Sequence, residues 1–131
     1  MAPTFAGIGL AVADMDTSLA FYRRLGLDIP AGSEKAPHAE VTLPGGIRLM
    51  WDSHETMRSF HPDFSPAVGD SRVSLAFACA DPADVDRTHA ALVAAGHESH
   101  LEPWDAEWGQ RYAVVLDPDG NSVDLFAPLP T

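Results

Sequence analysis

Side chains able to move a proton or hold a charged ligand are plentiful in this sequence, with six His, nineteen Asp plus Glu and eight Lys plus Arg. Few are spaced to act together. His38, Glu40 and Thr42 share parity along an extended segment, which puts an imidazole and a carboxylate on one face, a pairing suited to proton transfer. His54 and His61 stand seven apart, with no second pair at zinc-like spacing. His97 and His100 fall on opposite sides of an extended stretch, and His89 lies on a helical stripe. These five are expected as surface or packing residues. No GxSxG, HExxH, glycine-rich phosphate loop or CxxC occurs. Cys79, inside the apolar run LAFACAD, reads as a small core hydrophobe rather than a nucleophile.

The aromatic residues say more. Trp104 and Trp108 flank the acidic stretch 105–107, ahead of Tyr112. Indole faces attract flat, apolar or cationic molecules by stacking and cation–π attraction, worth roughly 0.5–2 kcal/mol each. The competing use of two tryptophans is burial against the protein body. Trp51 shares parity with Ile47 and Leu49 and is expected in the core. Met50 takes the opposite face and offers an adaptable wall. Phe60 and Phe64 are expected either as a lid or as loop anchors.

Length and charge bound the partners. The 131 residues fit one domain of ordinary size, long enough to bury a core without a disulfide or structural metal. A net charge of −11 repels phosphate backbones and anionic membrane surfaces, so neither nucleic acid nor membrane is an expected partner. Cationic and neutral small molecules remain compatible. A single cysteine, a start without a basic segment and no long apolar run make the cytoplasm the expected compartment.

Candidate residues need elements to place them, and the elements occur twice. Phe5–Ala13 is an apolar strand, after which Asp14 or Asp16 caps a helix carrying Leu19, Phe21, Tyr22 and Leu25, stopped at Gly26. Extended pieces follow at Leu27–Ile29, His38–Leu43 and Ile47–Trp51, the last two joined by a turn at Pro44-Gly45-Gly46. Arg72–Cys79 then opens a second strand–helix unit, in which FACAD at 77–81 echoes LAVAD at 10–14. Val85, His89, Leu92 and Val93 form its helical stripe, and Gly96 closes it. Extended pieces at Glu98–Trp104, Arg111–Leu116 and Ser122–Phe126 follow, the last two joined by the turn 117–121. Residues 53–71 link the units and show no clear period. The expectation is one domain over 1–131, with module one at 5–52 and module two at 72–127.

GIGLAVADMDTSLAFYRRLGL at the start, FACADPADVD in the middle and DPDGNSVDLFAP at the end resemble the vicinal-oxygen-chelate proteins, the glyoxalase, bleomycin-resistance and dioxygenase superfamily. That resemblance covers essentially the whole chain. It implies an α+β fold of two tandem βαβββ modules whose curved mixed sheets form a cup, usually completed in a homodimer. In relatives that use a metal, histidines and glutamates converge from four strands; here those positions hold Gly7, Arg48, Ser74 and Asp124. Such a set lacks donors, so no metal and no cofactor is expected, and Arg48 and Asp124 are expected to pair in the metal's place. Alternatively, Asp124 with Glu40 holds a cationic or hydrogen-bonding ligand. In the first, fifth and last strands the small or polar set (Gly7, Gly9, Ala11; Ser74, Ala76, Ala78; Ser122, Asp124, Phe126) is expected to line the cup, and the bulky set to pack on helices.

The resulting expectation is a metal-independent binding protein that sequesters a bulky, flat or cationic natural product, such as a bleomycin-like, enediyne-like or other aromatic antibiotic. Its ligand-binding residues are His38, Glu40, Arg48, Met50, Phe60, Ser74, Trp104, Trp108, Tyr112 and Asp124, with none assigned as catalytic. The alternative is a metal-free lyase, isomerase or hydrolase acting on a polyketide-like substrate, with His38, Glu40 or Asp124 as its base.

Overall fold

Strand β1 (Gly7–Val12) runs into helix α1 (Met15–Arg24), whose first turn is capped by the Asp14 carboxylate accepting from the Asp16 amide at 3.0 Å. The helix buries Met15, Ser18, Leu19, Phe21 and Tyr22. Gly26, at φ +91°, supplies the left-handed residue that ends it. Strands β2 (His38–Thr42) and β3 (Arg48–Ser53) complete a three-stranded sheet in the order β1-β3-β2. The β1–β3 pair is parallel and the β2–β3 pair antiparallel. Their hairpin turns at Gly45 and Gly46, both near φ +90°, a conformation that a side chain would strain. The computed structural model describes residues 2–131 and separates them into two units, 2–68 and 69–131.

The second unit is the fuller copy. Strand β4 (Ser74–Ala78) leads to helix α3 (Pro82–Ala94), and strands β5 (Glu98–Ala106), β6 (Gln110–Leu116) and β7 (Ser122–Pro128) follow. Their order is β4-β7-β6-β5, with β4 parallel to β7 and the remaining pairs antiparallel. Reciprocal bonds fix the start of α3: Asp81 accepts from the Asp84 amide at 2.8 Å, and Asp84 accepts from the Ala80 amide at 2.9 Å. The turn 117–121 is held by the buried Asp117 carboxylate, which accepts from the amides of Asp119 and Asn121 and from the Asn121 side chain, all at 2.9 Å. The α+β class and the mixed character of both sheets agree with the sequence.

Three expectations need correction. Leu27–Ile29 is not a strand. Arg23 pins that segment as coil, donating to the carbonyls of Ile29 at 3.3 Å and Pro30 at 2.8 Å while pairing with Glu34 at 2.8 Å. The first unit is therefore βαββ. Within the linker, His54–Phe60 forms helix α2, whose N-cap Ser53 accepts from the Thr56 amide at 3.1 Å. It buries no residue, so no apolar period existed to reveal it. Val73 and Val93, assigned to the packed set, are 65% and 42% exposed.

Candidate functional site

Parity along β2 and β3 sorts the first sheet into two faces. Ala39, Leu49 and Trp51 are buried on one side, and Trp51 meets the Tyr22 ring of α1 edge-on at 5.5 Å. The other side carries His38, Glu40 and Thr42 on β2 with Asp52, Met50 and Arg48 opposite them on β3. The core placement of Trp51 and the outward placement of Met50 both follow the expected alternation.

His38 lies between two carboxylates. Its Nδ1 is 2.6 Å from Asp52 Oδ1 and its Nε2 is 2.9 Å from Glu40 Oε2, while Arg48 donates to Glu40 Oε1 at 3.2 Å. Two acceptor partners require a proton on each ring nitrogen. The hydrogen bonds from Glu40 and then Asp52 accordingly raise the His38 pKa above its ordinary 6.5. The same imidazole, helped by Arg48, holds the Glu40 carboxyl below its usual range. An imidazolium so engaged has no lone pair with which to take a substrate proton. Arg48 pairs with Glu40, which neighbouring strands of one sheet bring together.

Asp52 was missed in the sequence, although the hairpin contained the signal. A turn at 44–46 that pairs Thr42 with Arg48 also pairs His38 with Asp52. Ring NMR titration should place the His38 midpoint above 6.5 and return it towards 6.5 in Asp52→Asn; a wild-type midpoint at or below 6.5 contradicts the two-carboxylate clamp. Because the folded pKa is raised, the clamp's stabilisation is complete below pH 6.5 and lost as pH rises through the folded value. With the His38 side chain 42% exposed, solvent screens that contribution to a small one.

In the second unit, helix α3 covers one face of the sheet and buries Val123, Leu125, Ala113 and Val115. Arg111 ties that side together, donating to Asp86 of α3 and to Asp105 of β5, each at 3.0 Å. The opposite face carries Ser74, Ala76 and Ala78 on β4, Ser122, Asp124 and Phe126 on β7, and Tyr112 on β6. Trp104, opposite Tyr112 on β5, shares it. Trp104 lies within the strand rather than in a loop, and the β5–β6 connection shrinks to the turn at Glu107–Gly109. Trp108 sits in that turn, 58% exposed, with its Nε1 donating to Gln110 Oε1 at 2.9 Å.

The three rings form one wall. Centroid separations are 5.9 Å for Trp104–Trp108, 5.6 Å for Trp104–Tyr112 and 5.4 Å for Trp108–Tyr112, all edge-to-face. Tyr112 carries the wall to Asp124, donating a short hydrogen bond to Asp124 Oδ2, while Ser122 donates to Oδ1 at 3.2 Å. Burial first, and then the Asp124 carboxylate, push the Tyr112 hydroxyl up to about 12, so it stays a donor at neutral pH.

The remaining assignments divide. Ser74 is exposed beside Ser122. Phe60 is 68% exposed at the end of α2. Phe64 anchors the segment after α2, with His54 and His61 rings at 5.4 and 6.1 Å and the Arg58 guanidinium 5.9 Å from its centroid. Cys79 is half-buried, and burial followed by the Asp84 charge pushes its thiol up, away from nucleophilic chemistry.

The family's metal positions do not fit a metal. In the first unit they are Gly7 and Arg48, a residue without a side chain and a fixed cation. A Cβ at Gly7 would lie 2.9 Å from the Arg48 carbonyl oxygen, so even a substituted ligand there needs the backbone to move. In the second unit they are Ser74 and Asp124, a neutral hydroxyl and a carboxylate already accepting two hydroxyl protons. Among the described residues no three His, Cys, Asp or Glu side chains gather in a way that could hold a metal ion. No described helix is long and apolar enough to cross a membrane.

Solved structures share this fold. A glyoxalase/bleomycin resistance protein/dioxygenase family enzyme from Burkholderia phytofirmans PsJN superposes with a TM-score of 0.82 at 20% identity, covering 97% of this chain and all of the other. A glyoxalase/bleomycin resistance protein/dioxygenase from Nocardioides gives 0.74 at 24% identity, covering 98% and 85%. TioX from Micromonospora sp. ML1 gives 0.64 at 22% identity, covering 97% and 100%. These likenesses establish the fold. No curated protein matches the sequence. The family profile extends over residues 4–125, both units included, and on that match the chain belongs to the Glyoxalase/Bleomycin resistance protein/Dioxygenase superfamily.

Proposed function

We propose that the protein is a metal-independent binding protein that protects a cytoplasm by sequestering a bulky, flat natural product, as a homodimer. The observation that carries this reading is the wall of Trp104, Trp108 and Tyr112 on the face of the second sheet opposite helix α3. Along β4 the same face is floored by Ser74, Ala76 and Ala78, all exposed, which leaves space where a packed layer would place large side chains. A protective binder needs affinity and no bond chemistry, and the rings supply affinity without a reactive group.

The three candidate bases of the enzymatic alternative are already engaged. Both nitrogens of His38 are engaged with carboxylates, Glu40 is engaged with His38 and Arg48, and Asp124 accepts from Tyr112 and Ser122. The test is quenching of tryptophan fluorescence by a panel of flat aromatic antibiotics, with mass analysis of the ligand afterwards. Saturable quenching with the ligand recovered unchanged is the expected result. Conversion of the ligand, or no quenching across the panel, overturns the reading.

A further inference from the structure

Asp124 poses a problem that the aromatic wall alone does not solve. Its carboxylate is partly buried, and its partners are two neutral hydroxyls, Tyr112 and Ser122. Among the described residues of its own unit, no cation forms an ion pair with it. Arg111 is committed to Asp86 and Asp105 on the helix-covered side, and Arg87 lies 3.7 and 3.6 Å from Asp81 and Asp84. A carboxylate removed from water without a counter-charge is costly, and hydroxyl donors offset only part of that cost.

The surroundings deepen the imbalance. Residues 69–131 hold eleven carboxylates against three arginines, so they carry −8 of the chain's −11. Asp124 is also approachable from one side. Its neighbour across the β4–β7 ladder is Ala76, an exposed residue with no side chain beyond Cβ. On its other side the Tyr112 ring joins it to both indoles, whose negative faces favour a cation.

We infer that this face selects for positive charge: the ligand's flat ring lies against Trp104 and Trp108, and its ammonium or amidinium group takes Asp124 as counter-ion. The inference rests on the binding reading above and adds the charge of the ligand to it. Ala76 leaves room for the cationic group, Ser122 holds one oxygen of the carboxylate, and the net charge of the unit draws a cation in. A neutral ring of the same outline keeps the stacking and forgoes the ion pair.

A matched pair of three-ring probes tests this, 9-aminoacridine as the cation and acridone as the neutral analogue, titrated calorimetrically against wild type, Asp124→Asn and Tyr112→Phe. In wild type the cation should bind at least about tenfold more tightly than acridone, as a charge-assisted contact combined with cation–π attraction provides. Asp124→Asn should shrink that preference to about twofold or less, since the amide removes the charge at constant shape. Tyr112→Phe, which keeps both the ring and the carboxylate, should retain the preference. Equal binding of the two probes to wild type overturns the charge selection and leaves the flat-ligand reading standing. Binding of neither probe overturns both. A preference lost as fully in Tyr112→Phe as in Asp124→Asn assigns the effect to the hydrogen bond between those residues, and the inference falls.

Discussion

Replacing Trp104 and Trp108 together with Ala lowers ligand affinity by about fivefold or more, because each indole supplies roughly 0.5–2 kcal/mol and both act on one ligand. Residues of the same wall are coupled, so the double variant is more informative than a sum of singles. Trp108 is 58% exposed and its indole N–H bonds only the Gln110 side chain, so truncating it leaves the fold intact. Trp104 packs on Tyr112, and its loss also frees the ring that bonds Asp124. Isothermal titration with a ligand found by quenching measures the change directly, since the double variant keeps only Trp51, buried in the first unit. Unchanged affinity in the double variant, with circular dichroism confirming the fold, shows that the ligand sits elsewhere.

The second large effect is on stability. Trp51→Ala should cost about 3–5 kcal/mol, the range for truncating a large buried aromatic, and lower the melting temperature by about 10–20 °C. Trp51 is fully buried against Tyr22, and Tyr22 packs on Phe21 at 4.9 Å, so its removal opens the centre of the first unit. Among the described residues its indole N–H has no hydrogen-bond partner, an omission worth about 1–3 kcal/mol in a buried group. Trp51→Phe deletes that N–H along with less volume and should cost markedly less than Trp51→Ala. Thermal unfolding followed by circular dichroism separates the two. Equal losses would show that the N–H is satisfied in solution.

What the sequence revealed, and what it concealed, follows from the kind of signal each residue leaves. Period-two alternation placed Trp51 inward and Met50 outward, and put Ser74 and Asp124 on one sheet face, because a strand shows its environment in its own pattern. Helices α1 and α3 were visible through their apolar stripes, and α1 also through its aspartate cap. Helix α2 was hidden because it buries nothing, so neither face differs from the other. Leu27–Ile29 has the composition of a strand, and only the long-range grip of Arg23 on Ile29 and Pro30 makes it coil. Polar partnerships were the least legible. Arg48 finds Glu40, and His38 finds Asp52, through strand register, which depends on where the hairpin turns. The Tyr112–Asp124 bond crosses diagonally between β6 and β7, since the direct ladder partners are Tyr112 with Phe126 and Val114 with Asp124.

The central claim is that the protein binds a flat ligand through its aromatic wall without a metal and leaves the ligand unaltered. The most direct measurement is a fluorescence titration of chelator-treated protein, kept in excess EDTA, with the ligand then released and weighed by mass spectrometry. The account predicts saturable quenching, the same with and without EDTA, and a recovered ligand of unchanged mass. Binding that appears only when a divalent metal is restored, or a recovered product of altered mass, would contradict it.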